Sequence, residues 1–129
     1  MDKKFKRGIS LVEVVLAIVI ITMVSIFATT LVVSSVQNES KNVRDNEIVT
    51  IAENAIECYR FCSAGGESYA DVLGEIYPDI VTTGTEEVTK YTIYRNNYCV
   101  EIYINNDKLI INAWDNIDKT GDRIYNLEY

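Results

Sequence analysis

Histidine is absent from the 129-residue sequence. That absence removes Ser-His-Asp and Cys-His catalysis, imidazole metal ligation and the commonest general base together. An enzyme would have to work through carboxylates, lysine or tyrosine, and no grouping of these along the chain marks a substrate, so a non-enzymatic role is expected. Cysteine is scarce. Cys58, Cys62 and Cys99 are too few and too irregularly spaced for a disulfide framework or a paired-cysteine zinc site. No glycine-rich phosphate loop, internal repeat or low-complexity tract is present. Outside one long apolar stretch roughly 90 residues remain, enough for one small domain whose core leans on a neighbouring element, a disulfide, a metal or oligomerisation.

Positive charge is rare beyond the first few residues. Lys3, Lys4, Lys6 and Arg7 precede the apolar run, opposed there only by Asp2. From Asn38 to Tyr129 there are 17 Asp and Glu against 8 Lys and Arg, a net charge of −9. A surface with that field repels phosphate backbones at long range, so direct nucleic-acid binding is disfavoured.

Apolar sequence is what the chain has in excess. From Val14 to Val36 it reads VVLAIVIITMVSIFATTLVVSSV, and no charge appears until Glu39. As a helix, about 25 such positions span roughly 37 Å, against a hydrocarbon core of about 30 Å. The preceding basic cluster predicts a cytoplasmic amino terminus and an extracytoplasmic head. Glu13 lies inside the apolar segment Ile9 to Val36, where an ionised carboxylate is costly and normally has a partner. Two plainer readings compete. Glu13 belongs to the cytoplasmic flank beside Arg7, or the segment is an ordinary secretory signal whose apolar run ends near Ala28. The length of the run, the early charge and the lack of a clear small-x-small site favour a retained anchor.

At these residues the sequence resembles a known family. KRGISLVEVVLAI looks like the leader and cleavage site of type IV prepilins and type II secretion pseudopilins, with a short basic leader, Gly8 at its end, an apolar residue next, Glu13 five places on and a long apolar helix. The resemblance implies cleavage by a prepilin peptidase after Gly8 and methylation of the new amino terminus at Ile9. It also implies that Glu13 pairs with that amine on an adjacent subunit and sets register during filament assembly, and that the partners are other pilin subunits, the prepilin peptidase and an inner-membrane assembly platform. Gly8 suits its place because a residue without a side chain lets the backbone extend into a protease cleft. Many members bend this helix with a proline, whereas Pro78 is the only proline here, so the helix shape of major pilins does not transfer.

The expected organisation is a leader at 1–8, a transmembrane and filament-core helix at 9–37 and a head at 38–129. Within the head, NVRDNEIVTIAENAIECYRFCSAGG keeps helical periodicity through Val43, Ile48, Ile51, Ala52, Ala55, Tyr59 and Cys62, stopped by Gly65 and Gly66. This predicts an amphipathic helix over 40–63, a loop over 64–87 with a short helix in SYADVLGEIY ended by Pro78, and a sheet over 88–129. Alternation places strands at Val88–Arg95, Tyr98–Ile104 and Leu109–Trp114, with Arg123–Leu127 as an added edge. Asn96-Asn97 and Asn105-Asn106-Asp107 read as hairpin turns because Asn tolerates positive φ. The fold class is therefore α+β, a long helix packed on an antiparallel sheet of three to four strands, which is also the pilin architecture that the resemblance implies.

Two weaker signals remain. Asp115, Asp118 and Asp122 near Gly121 offer oxygen ligands for calcium, without EF-hand spacing and with a solvated turn as the plainer reading; otherwise no cofactor is expected. Cys99 in the central strand, with Cys58 or Cys62 on the helix, forms a conceivable disulfide in an export compartment, against the plainer reading of buried free thiols. The function expected is a minor pilin-like subunit of a type IV pilus or pseudopilus. The alternative is a single-pass anchored extracytoplasmic binding module that does not polymerise.

Overall fold

The computed structural model describes residues 10–84 and 88–129. The elements are α1 (Leu11–Ser63), α2 (Tyr69–Ile76), β1 (Val81–Gly84), β2 (Thr89–Tyr94), β3 (Cys99–Asn105), β4 (Lys108–Trp114) and β5 (Arg123–Glu128). The chain divides into two units between Val43 and Arg44.

In the first unit the helix is apolar all round and unburied, with large side chains from Leu11 to Val36 exposed on every face. A helix of that composition calls for a lipid or protein environment. Four of its hydroxyls are satisfied along the helix: Thr22 donates to the carbonyl of Val19 (2.8 Å), Ser25 to Ile21 (2.8 Å), Thr29 to Ser25 (2.8 Å) and Thr30 to Ile26 (2.9 Å). Such back-bonding removes most of the cost of a hydroxyl in hydrocarbon.

In the second unit the later part of α1 lies against one antiparallel sheet of order β1-β2-β3-β4-β5. Ile48, Ile51, Ala52, Ala55 and Cys58 form the buried stripe of α1, at three- and four-residue steps. They pack with Tyr91, Ile93, Val100, Ile102, Leu109, Ile111 and Ala113 from β2, β3 and β4. Val43, expected on this stripe, is exposed, while Tyr59 and Cys62 are half-buried at its margin. Tyrosine hydroxyls tie the helix at several points. Tyr59 donates to the carbonyl of Asp107 (2.8 Å), Tyr69 to that of Ala55 (3.2 Å) and Tyr98 to Glu47 Oε2 (2.6 Å).

The sheet has five strands rather than three to four. Arg123–Glu128 is a full strand paired with β4, and β1 lies within the segment expected to be loop. β1 is four exposed residues, Val-Thr-Thr-Gly, too short and too uniformly exposed to alternate; its pairing with β2 defines it as a strand. The short helix expected before Pro78 is α2, which buries Leu73. Asn105 pairs with Lys108 across a two-residue turn in which Asn106 (φ 50°) and Asp107 (φ 61°) are left-handed, as a type I′ hairpin requires. The turn at Asn96 and Asn97 closes with Arg95 N–H donating to the carbonyl of Tyr98 (2.9 Å), and neither asparagine has positive φ.

Candidate functional site

The residues expected to carry processing, Gly8 and Ile9, lie outside the described residues. The site is described from Ser10 onward. Ser10 precedes the first turn of α1, and its Oγ accepts the N–H of Val12 (3.2 Å). Glu13 answers in the other direction, with Oε2 accepting the N–H of Ser10 (3.1 Å). Together these form a reciprocal capping box, Ser-x-x-Glu, which satisfies two of the orphan donors at the helix start. Ser10 caps the described helix, whose first residue is Leu11. Sequence reasoning passed over Ser10, although the Ser-Leu-Val-Glu spacing was a visible signal. Glu13 is exposed here and its carboxylate sits in the first turn, where the helix dipole favours a negative charge. Chemically, this end of α1 is a solvent-facing carboxylate at the head of a helix that is otherwise uncharged as far as Val36.

The structure does not bring the other candidate residues together. All three cysteines are free thiols, with Cys58 and Cys99 buried. The alternation of β3 sends Cys99 to the face away from α1, where its thiol donates to the carbonyl of Asn116 (3.4 Å), while Cys58 belongs to the core on the helix side. The sheet therefore stands between them. Burial is the main cause that raises the pKa of both thiols above the usual value, which favours their protonated form.

Asp115, Asp118 and Asp122 do not converge either. Asp115 is ion-paired with Arg44, and among the described residues no group of three His, Cys, Asp or Glu is arranged to hold a metal ion. Two basic side chains tie this loop to the rest of the head: Arg44 holds Asp115 at its start, and Lys119 reaches Glu101 on the outer face of the sheet. Neither pairing was foreseeable from spacing, because each joins segments far apart in the chain.

The apolar helix α1 is long and apolar enough to cross a membrane, which suggests membrane anchoring. No curated protein and no solved structure matches the chain. Residues 3–29, which contain Gly8, Glu13 and the first half of the apolar run, match the family described as the prokaryotic N-terminal methylation motif. At its amino terminus, then, the chain carries the signature of type IV pilins and pseudopilins.

Proposed function

We propose that the protein is a minor pilin-like structural subunit of a type IV pilus or related pseudopilus, cleaved after Gly8, methylated on Ile9 and assembled through its amino-terminal helix. The observation that carries this reading is the methylation motif at residues 3–29 running into a helix that is apolar on all faces. A motif for processing and a helix needing an apolar surround are the two things a filament subunit requires at this end. The basic leader places the amino terminus in the cytoplasm and the head outside, and the leader, membrane helix and head divide at about residues 8 and 37. Before assembly the chain is a single-pass membrane protein; afterwards its helix is buried among those of neighbouring pilins.

Glu13 has two successive partners in this scheme. In the isolated chain it caps Ser10. In the filament it faces the cationic amine of Ile9 on an adjacent subunit, and its role is to fix register, since desolvation offsets most of the Coulomb gain of a buried pair. The head serves packing and recognition, with no catalytic role.

The experiment is the intact mass and amino-terminal sequence of the protein from membranes of cells with and without the prepilin peptidase. The expected product starts at methylated Ile9 and depends on that enzyme. A product starting near Thr29, or an uncut chain, would overturn the proposal, the latter leaving an anchored head that does not polymerise.

A further inference from the structure

The outer face of the sheet, away from α1, carries a charged group in an unusual place. Glu101 sits in the central strand β3 with its side chain only 8% exposed, and both of its oxygens meet ammonium groups. Oε2 accepts from Lys119 Nζ, and Oε1 accepts from Lys90 Nζ at 3.5 Å. Lys119 comes from the segment Asp115–Asp122 that joins β4 to β5, and its Nζ also lies 5.4 Å from the centre of the Trp114 ring. A carboxylate and an aromatic face on one ammonium make a binding site for that group, combining a charge-assisted hydrogen bond with a cation–π contact.

The segment that delivers Lys119 is lightly held. None of the residues from Asp115 to Asp122 is buried. Its backbone closure is a single long bond, Asp115 N–H to the carbonyl of Asp122 (3.5 Å). Its other ties involve side chains: Arg44 with Asp115, the Cys99 thiol donating to the carbonyl of Asn116, and, within the loop, Asn116 donating to Thr120 Oγ1 and accepting from the Gly121 N–H. A segment with few buried contacts and little backbone pairing opens at low free energy. When Lys119 leaves, Lys90 stays beside Glu101, so opening does not strand an uncompensated carboxylate.

We propose that Asp115–Asp122 is a releasable strap and that Lys119 is the tethered occupant of an ammonium site formed by Glu101 and Trp114, which accepts a lysine side chain of a protein partner once the strap lifts. Lys119 itself shows the chemistry that the site accepts. The net charge of −9 over Asn38 to Tyr129 draws basic partners toward the head, which favours a lysine donor over an acidic or neutral one. The intramolecular ammonium sets a threshold, because a free lysine must compete with one held at high effective concentration. The inference stands apart from the pilin reading and survives if that reading fails.

The test uses the full chain in detergent. Trp114 is the only tryptophan and reports the site, while alkylation of Cys99, read by peptide mass, reports the strap. Lys119→Ala is expected to raise the rate of Cys99 alkylation by about tenfold or more, the scale of losing one charge-assisted bond. Nα-acetyl-lysine methylamide is then expected to change Trp114 fluorescence saturably in Lys119→Ala, and to lose that effect when Glu101→Gln is added. Unchanged Cys99 alkylation would overturn the strap. An equal response to the norleucine analogue or to potassium chloride at matched ionic strength, or no saturation, would overturn the site. Should Lys119→Ala fail to fold, hydrogen exchange on the unaltered chain decides about the strap: amides of Asn116 to Gly121 exchange at least about tenfold faster than those of Asn112 and Ala113 if it opens locally, and at the same rate if it does not.

Discussion

Glutamine at position 13 separates two roles that alanine removes together. In the capping box Glu13 accepts the Ser10 N–H, and the amide oxygen of glutamine accepts it equally well. Glu13→Gln therefore keeps the helix start and removes only the charge, whereas Glu13→Ala removes both. Losing a cap costs about 1 kcal/mol, or roughly fivefold in an equilibrium. Losing one member of a charge pair buried among packed helices costs about 3–5 kcal/mol, because the partner amine is left uncompensated, and this is more than about a hundredfold. The readout is the ratio of the subunit in sheared filaments to that in membranes, by quantitative immunoblot in cells that supply the other pilins. Both variants are expected at normal level in the membrane and below about 1% of the normal filament ratio. If glutamine assembles like the unaltered protein and alanine falls only about fivefold, Glu13 is a cap and the pairing argument is refuted.

Other expectations concern the head. The phenols of Tyr69, Tyr91 and Tyr98 are all raised above their ordinary value of 10.0, first by burial, with Tyr98 raised further by its bond to Glu47 and Tyr91 by the nearby Asp71. They hold their protons more tightly folded than unfolded, so their contribution is complete below about pH 10 and is lost above it, at about 1.4 kcal/mol per pH unit for each phenol. The thermal unfolding midpoint, followed by Trp114 fluorescence from pH 8 to 11, is expected to decline gently from about pH 9, where the buried Cys58 and Cys99 thiols begin to contribute, and steeply above about pH 10. Gly84 has φ 152°, and a Cβ there would meet the carbonyl oxygen of Val88 at 2.2 Å, so Gly84→Ala is expected to unpair β1 and speed proteolysis between α2 and β2. Asp107→Gly is expected to raise the melting temperature of the head slightly, because relief of left-handed strain of about 1–2 kcal/mol exceeds the added chain entropy of glycine, about 0.5–1 kcal/mol, while the carbonyl that accepts Tyr59 is kept.

The elements legible in the sequence were those with a period of their own. The stripe from Ile48 to Cys62 marked the helical face, and the alternation of Val100, Ile102 and Ile104 against Cys99, Glu101 and Tyr103 marked the two faces of β3. β1 has no alternation and draws its identity from β2, so its four residues carry no strand signal of their own. Val43 fits the helical period and is exposed, because periodicity gives a face and not the extent of what covers it. At the candidate site, the cost of Glu13 in an apolar run was legible from one residue, but its local partner was overlooked in favour of a distant one. The aspartates of the β4–β5 loop looked like ligands as a string. In space Asp115 meets Arg44, while Lys119 of the same loop reaches Glu101, and the reach of both bases depends on the fold and has no sequence signature.

The strand order has a consequence for how the head forms. Because β1 to β5 neighbour one another in the order in which they are made, every pairing in the sheet joins segments that leave a ribosome or translocon one after the other. Contact order within the sheet is low, and each hairpin can close before the next strand has emerged, without waiting for a distant partner. The buried stripe of α1 is the exception. It is made first and must wait for β2, β3 and β4, so the interval between its synthesis and the closing of the β3–β4 hairpin is when the chain is most exposed to aggregation and proteolysis.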